Sequence, residues 1–322
     1  MNNRSKEIAL EIANNIIEII ETTQTLIWDK EWKGLSLVGG LAPRNYDRYM
    51  SGKPSAYQGL NILALLSRAE KEGWDSPYFM TFKQAKKHGG SVRPVRETGH
   101  GTTISYWNFV MYDENDNKTK DPKKCVRKVP FLSKSTVFNA AQITGIDFPE
   151  IKKPKTKSKN EIIEAAEAIK DGYADCPPTR YGGDRAFYNS GRDEIGMPSI
   201  DSFNSSFSFY KTEFHEQIHS TGHKSRLGRD LGNGFGTVKY SKEELIAELG
   251  ASFLSSLAGI FNSKQEKNSA AYIKSWLKVL KDDPTMILTA ASKAQKAAEY
   301  ILGCPLDEYE AATNEATEAV NA

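Results

Sequence analysis

Along residues 5–27, Ile8, Ala9, Ile12, Ala13, Ile16, Ile17, Ile19 and Ile20 recur at three- and four-residue intervals among polar side chains. That spacing gathers the apolar set on one side of a helix and predicts an amphipathic N-terminal helix. Gly34, Gly39, Gly40 and Pro43 then punctuate a loop, and helical spacing returns over 59–71. Residues 103–112, Thr-Ile-Ser-Tyr-Trp-Asn-Phe-Val-Met-Tyr, have the β-branched and aromatic content of a strand, and Asp113-Glu114-Asn115-Asp116-Asn117 is the turn after it. Residues 152–159, Lys-Lys-Pro-Lys-Thr-Lys-Ser-Lys, hold no apolar side chain and read as a linker, with a domain boundary near 155. Beyond it, helices are expected over 160–170, 210–223 and 241–260, with one or two more within 267–302. A short hairpin is expected within 184–198, turning at Asn189-Ser190-Gly191. No internal repeat is found, and the tail from 305, acidic and rich in alanine, reads as frayed helix or disorder.

A chain of 322 residues exceeds one ordinary core, so two domains are expected, 1–155 and 156–322, in an α+β fold. With 39% hydrophobic and 26% charged residues the chain folds rather than staying disordered. No apolar run approaches the roughly 20 residues that span a bilayer, and the opening Met-Asn-Asn-Arg-Ser-Lys-Glu is unlike a secretory leader. A cytoplasmic protein with no membrane partner is therefore expected. Three widely spaced cysteines, Cys125, Cys176 and Cys304, make neither a disulfide framework nor a thiolate metal site. The net charge of +2 conceals an asymmetry. Residues 1–160 carry 26 basic against 17 acidic side chains, and residues 161–322 carry 17 against 24. The basic half is the one to consider for polyanion binding.

Only five histidines occur, His88, His100, His215, His219 and His223, and three of them fall within nine consecutive residues. His215 and His219, four apart, lie roughly 40° apart around a helix and can reach one ion. Neutral imidazoles suit Zn²⁺, and a catalytic zinc adds a third protein ligand and keeps a position for water. Glu216, beside the first histidine, is set to touch that water rather than the metal. Zinc lowers the water pKa to about 7, and the carboxylate can take its proton during attack on a carbonyl. The reaction class is amide hydrolysis, on a protein or peptide the sequence does not identify.

For the third ligand the sequence offers Ser241-Lys242-Glu243-Glu244-Leu245-Ile246-Ala247-Glu248, opening the helix expected at 241–260. Ser241 and Glu244 have capping-box spacing. Glu244 and Glu248 share a face, so one can ligate while the other hydrogen-bonds a ligand histidine and fixes its tautomer. The spacing resembles the Glu-x-x-x-Asp helix of glutamate-type zincins, where the first acid is the ligand. That favours Glu244 as ligand and Glu248 as support, with the reverse assignment open. The metzincin pattern fails, because the position six residues after His219 is Ser225. His223 orients substrate, caps the helix after Gly222 or has a merely structural role, and Arg226 and Arg229 read as helix-end or surface charges. Tyr188 and Asp193, in the hairpin upstream, are candidates for the rim of a substrate cleft, the alternative being a hairpin that only packs the helix.

In the basic half, cations interleave with aromatics: Arg44, Tyr46, Arg48, Tyr49, Lys53 and Tyr57, then Phe82, Lys83, Lys86, Lys87, Arg93 and Arg96. Four of the five tryptophans, Trp28, Trp32, Trp74 and Trp107, lie there too. Cations tracking phosphates and rings stacking on bases are how single-stranded nucleic acid is held. Arg44, Arg48, Tyr57, Lys83, Lys86, Lys87, Arg93 and Arg96 are the candidate contacts.

Gly34, the run from Tyr57 to Leu65 (Tyr-Gln-Gly-Leu-Asn-Ile-Leu-Ala-Leu), Thr81-Phe82-Lys83-Gln84-Ala85 and Val137-Phe138-Asn139-Ala140-Ala141-Gln142 resemble the N-terminal domain of ArdC-type antirestriction proteins. Ala186-Phe187-Tyr188, the run from Asp193 to Pro198, the run from His215 to His223 and Glu244-Leu245-Ile246-Ala247-Glu248 resemble that family's metallopeptidase domain. Tyr272 to Leu277 is similar to its C-terminal helix. The resemblance implies a protein of plasmids, phages or integrative elements that protects incoming DNA from host restriction. Its N-terminal domain would bind single-stranded DNA and its C-terminal domain would be a zincin-like metallopeptidase. The chain departs from the family over 91–100, where Ser-Val-Arg-Pro-Val-Arg-Glu-Thr-Gly-His replaces a turn of the Val-Arg-Lys-Gly-Glu-Lys-Gly type. Two other readings remain: a DNA-protection protein whose zinc is structural, and a regulatory zinc protease that cleaves a repressor.

Overall fold

The computed structural model describes residues 3–24, 26, 43–53, 55–149, 159–231, 238–260, 270–306, 308 and 309. Trp28, Trp32, Gly34, the linker with its boundary near 155, and the tail beyond 309 lie outside the described residues.

Helix α1 (Asn3–Thr23) buries Ile8, Ile12, Ala13, Ile16, Ile17 and Ile20, the stripe its sequence spacing predicts. It stops short of residue 27. The Thr22 and Thr23 hydroxyls donate back to the carbonyls of Glu18 and Ile19, and Gln24 turns left-handed at φ 49°. Such local bonds compete with helix continuation.

Strand β1 (Arg44–Asn45), helices α2 (Tyr46–Met50) and α3 (Leu60–Glu72), strand β2 (Tyr78–Thr81) and helix α4 (Phe82–Lys87) follow. Next come β3 (Ser91–Val92), α5 (Val95–Thr98), β4 (Thr102–Tyr112), β5 (Lys118–Thr119), β6 (Arg127–Asn139) and β7 (Ile143–Thr144). The main sheet has the order β1-β2-β6-β4-β5. Its spine is an antiparallel ribbon of β4 and β6, in register from Thr102↔Val137 to Tyr112↔Arg127. Helix α3 lies along β4. The Asn61 amide donates to the Ser105 carbonyl (2.7 Å) and accepts from the Ser105 N–H (2.9 Å), filling the place of a neighbouring strand.

The second half comprises α6 (Lys159–Asp171), β8 (Thr179–Tyr181), β9 (Phe187–Asn189), β10 (Glu194–Met197), α7 (Ser206–Ser220), α8 (Val238–Ala258), α9 (Ala270–Asp282) and α10 (Met286–Leu302). The expected hairpin is β9–β10, and the Asn189 side chain accepts the N–H groups of Gly191 and Arg192, both at 3.0 Å, to form its turn. The span expected to hold one or two helices holds α9 and α10. They are separated at Asp283-Pro284-Thr285, where proline supplies no amide and the Asp283 carboxylate accepts from the Thr285 hydroxyl. Helix α8 begins at Val238, so Ser241 sits inside it and the expected capping box does not start it.

The architecture is α+β with two domains, yet the largest apolar core is common to both. Ile12, Ile16, Ile20, Leu60 and Leu63 belong to one buried cluster with Phe214, Leu245, Leu254, Leu280, Ile287 and Ala294. The Gly59 N–H, at a left-handed φ of 56°, donates to Gln295 Oε1 at 2.6 Å across this junction.

Helices α7 and α8 meet at Gly250, where a Cβ would stand 2.6 Å from Ile218 Cδ1 and 2.9 Å from its Cγ1. Only hydrogen fits there. Overpacking such a contact costs about 1–3 kcal/mol, so Gly250→Val is expected to lower unfolding free energy by about 2 kcal/mol. Urea denaturation, with an unchanged m-value, checks it.

Candidate metal centre

Helix α7 is capped by Ser205, whose hydroxyl accepts the Ser208 N–H at 3.1 Å. It starts four residues before the expected 210 and ends at Ser220, so His223 lies in the following turn. Phe209, Phe214 and Ile218 anchor it in the core, which leaves His215 and His219 on its other side. Their rings are 4.7 Å apart, nearly perpendicular, with the two Nε2 atoms 3.1 Å from each other. From α8, Glu244 brings Oε1 to 3.3 Å from His219 Nε2 and Oε2 to 3.6 Å from His215 Nε2. These three side chains form a group whose ligand atoms all lie within 4.8 Å of one another. A tetrahedral ion with ligand bonds of about 2.0–2.1 Å holds its donors roughly 3.3–3.4 Å apart. The three separations bracket that edge, so two imidazoles and a carboxylate here fit a divalent cation. No fourth His, Cys, Asp or Glu joins the group among the described residues.

Glu248 does not belong to it. The carboxylate facing the far side of the ligand ring is Glu243, whose Oε1 is 3.4 Å from His219 Nδ1. The supporting place expected for Glu248, against the free nitrogen of a ligand ring, is taken at His219 by Glu243. A step of one residue turns a helix by about 100°, so Glu243 and Glu244 reach the two nitrogens of His219 from different sides, whereas Glu248 lies a turn further on. Glu243 is buried and held by Arg229, which donates Nη2 to Oε1 (2.6 Å) and Nε to Oε2 (3.1 Å). Arg229 also donates to the Thr221 hydroxyl and the Ile218 carbonyl at the end of α7. Neither Arg226 nor Arg229 is a surface charge: each side chain is 5% exposed. No local pattern marks Arg229, although the doublet Glu243-Glu244 could have drawn attention to Glu243.

Arg226 makes a second tie. It donates to the Ser220 carbonyl (2.8 Å), to both oxygens of Asp193 and to the Tyr188 hydroxyl (3.3 Å). Tyr188 in turn donates its hydroxyl to Asp193 (2.7 Å), a residue at φ 50° in the β9–β10 turn. The Arg226 guanidinium holds the Asp193 carboxyl below its usual range. His223 turns its Nδ1 to the Ser225 hydroxyl at 2.7 Å and stands 3.8 Å from Asp193. It lies outside the ligand group.

Glu216 is buried, and burial pushes its carboxyl up, against the opposing pull of His215, His219 and the nearby backbone of Tyr188 on β9. The register explains how that backbone is turned. The Ile195 N–H donates to Pro178 on the β8 side (2.9 Å), so the pair Ile195↔Tyr188 shares no hydrogen bonds. The Tyr188 amide and carbonyl therefore point off the open edge of β9. At His219, burial disfavours the charged ring, but the hydrogen bonds it donates to Glu243 and Glu244 raise its pKa to about 10. Glu244, despite burial, is lowered by its bonds to His215 and His219.

Of the candidate DNA contacts, Arg48, Lys83, Lys86, Lys87, Arg93 and Arg96 are exposed. Asp47 bonds both Lys87 (2.6 Å) and His88 (2.8 Å), which brings α2 against the end of α4. Arg44 is half-buried over Tyr49. Tyr57 is a correction: its ring packs edge-on against Phe79 and its hydroxyl accepts from Asn45, so it supports the core rather than a stacking surface. The exposed rings of Tyr49 and Phe82, the latter with Lys86 over it at 5.4 Å, stand nearby instead.

Fold and site together define a two-domain α+β protein with a zincin-like domain. Residues 164–293 match the zincin-like metallopeptidase family, and residues 6–138 match the N-terminal domain of anti-restriction factor ArdC. The antirestriction protein ArdC of plasmid R388, solved metal-free and with Mn(II), aligns in both forms at a TM-score of 0.66 and 34% identity. It covers 94% of this chain, and 97% and 98% of the two solved chains. The chain belongs to the ArdC antirestriction family. Protein y4eC of Sinorhizobium fredii is 32% identical over 76% of this chain and 78% of its own length. Two DNA primases TraC of Escherichia coli are 33% and 35% identical over 90% and 91% of this chain, which spans 19% and 27% of their lengths. No described helix is long and apolar enough to cross a membrane.

Two outcomes follow for metal binding. Glu244→Ala is expected to lose metal at least tenfold in affinity while Glu248→Ala retains it, read by metal content after gel filtration. The His219 pKa, raised from 6.5 to about 10 without an ion, contributes stability that is present below 6.5 and is lost as pH rises through about 10. At pH 8 an entering ion must displace that proton. Calorimetry in two buffers of different ionisation enthalpy should show about one proton released from this ring at pH 8, and affinity falling as pH falls.

Proposed function

We propose that this chain is an antirestriction protein of a mobile element that binds single-stranded DNA through its N-terminal half and carries a zinc peptidase in its C-terminal half. The convergence of His215, His219 and Glu244 beside the buried carboxylate of Glu216 is the observation that supports the peptidase. His215, His219 and Glu244 hold the ion, with Glu243 fixing the His219 ring. When bound, zinc supplies Lewis acidity toward a peptide carbonyl and a more acidic water. Glu216 would serve as the general base, accepting a proton at its carboxylate during attack on the peptide carbonyl and handing it to the leaving amine. Its raised pKa suits both halves of the task. An extended peptide would be oriented by pairing with the outer edge of β9, where the backbone groups of Tyr188 point away from β10. A group of three protein ligands favours catalysis over a purely structural metal, which ordinarily has four.

DNA binding is supported by the family and by the exposed cations Arg48, Lys83, Lys86, Arg93 and Arg96 among exposed rings. A division of labour near residue 155 lies between the two family matches. With zinc-loaded protein and a proteome-derived peptide library, mass spectrometry should find cleavage that Glu216→Gln lowers by about 10²–10⁴-fold with zinc content unchanged. Equal cleavage by that variant would sink the mechanism. A labelled oligonucleotide should bind in a salt-dependent manner, with the slope of log K against log salt near −0.7 per phosphate contacted.

A further inference from the structure

The ribbon of β4 and β6 runs beyond the part of the sheet that the helices cover. Paired residues on neighbouring strands project to the same face, and successive residues alternate. Tyr106↔Ser133, Asn108↔Phe131, Val110↔Val129 and Tyr112↔Arg127 therefore share one face, and Lys118 joins it from β5 as the other neighbour of Tyr112. Tyr106 is 47% exposed, and Asn108, Arg127 and Lys118 are exposed as well. The Arg127 guanidinium lies 4.3 Å over the Tyr112 ring. Tyr106, Phe131 and Tyr112 thus follow one another along the face, ending in a row of Arg127, Tyr112 and Lys118 across three strands.

Charge on this ribbon is unbalanced. Residues 102–136 hold seven cations, Lys118, Lys120, Lys123, Lys124, Arg127, Lys128 and Lys134, against Asp113, Glu114, Asp116 and Asp121. Three of these acids serve the ribbon itself. Asp113 accepts the Asn115 and Asn117 amides, Asp121 caps Lys123, and Asp116 pairs with Arg127. The opposite face is engaged at its inner end by α1, whose Glu11 bonds Thr103 and Lys134.

We propose that the face bearing Tyr106, Phe131 and Tyr112, with Arg127 and Lys118 at its outer end, is a base-stacking platform for single-stranded DNA. Rows two residues apart on a strand are about 6.8 Å apart, twice the ~3.4 Å rise of a stacked strand. A strand opened to that spacing places one base against each row, its phosphates following the cations. Rings and cations, broken by a single aliphatic row at Val110↔Val129, suit bases better than an apolar peptide. The platform rests on the DNA-binding reading above and adds a surface to it, distinct from the cations of α2 and α4.

Fluorescence anisotropy with a labelled oligo-dT tests it on the full chain. Tyr106→Ala should weaken binding about tenfold without changing the salt slope, because no charge is lost. Tyr106→Phe should bind as wild type, which separates stacking from a folding defect, and Lys118→Ala should flatten the slope. Phe109→Ala, on the opposite face and 53% exposed, should leave affinity unchanged. Photo-cross-linking to a bromodeoxyuridine oligonucleotide should label residues 104–112. Wild type that fails to bind overturns the DNA-binding reading itself. Wild type that binds while Tyr106→Ala matches it within twofold overturns the platform alone, as does equal loss at Phe109→Ala.

Discussion

The close approach of α7 and α8 at Gly250 governs the rest of the zincin-like half. Two imidazoles on one helix turn make an incomplete ligand set, and the missing oxygen must come from another element. Because Ile218 rests directly on a residue with no side chain, the second helix lies near enough for Glu244 to reach both Nε2 atoms. The surrounding leucines, Leu245, Leu249 and Leu254, are fully buried and fix the rotation of α8 that faces Glu244 inward. Burial of the apolar face and delivery of the carboxylate are one event.

Around that core, a set of buried charges holds the ends in place. Arg229 joins Glu243 to the last turn of α7, and Arg226 joins the same turn to Asp193 and Tyr188. Removing one partner of such a pair leaves an uncompensated buried charge, which costs about 3–5 kcal/mol. The loop from Thr221 to Leu231 is thus tied on both sides, to the ligand helix and to the edge strand. Glu216, buried on the same helix, is thereby set between the ligand histidines and the strand that carries Tyr188.

How legible this was depended on how local each signal is. His215, Glu216 and His219 follow from spacing on one helix, and Glu244 from a second helix with acids in a recognisable pattern. The support carboxylate escaped, because the choice between Glu243 and Glu248 depends on how α8 is rotated against α7, which spacing within α8 does not set. Arg226 and Arg229 escaped because their partners are distant in sequence, Tyr188 lying 38 and Asp175 51 residues before Arg226, and Glu243 lying 14 after Arg229. The strand β4 was readable from its aromatics, but its partner β6 was not anticipated. Its side chains alternate only weakly between buried and exposed, since much of the ribbon has no core on either face. Tyr57 was misread for the opposite reason: a tyrosine among cations looks the same in sequence whether its ring meets solvent or Phe79.

The core common to α1, α3 and the C-terminal helices has a consequence for how such a protein is passed on. Cutting the chain between its halves would bare the isoleucine stripe of α1 and the face of α9 and α10 that receives it. Neither part would be a self-sufficient unit for recombination to shuffle. The matching segments in the much longer TraC primases run through nearly all of this chain, not through one half of it. The two halves travel as a single block, each supplying part of the apolar core that the other needs.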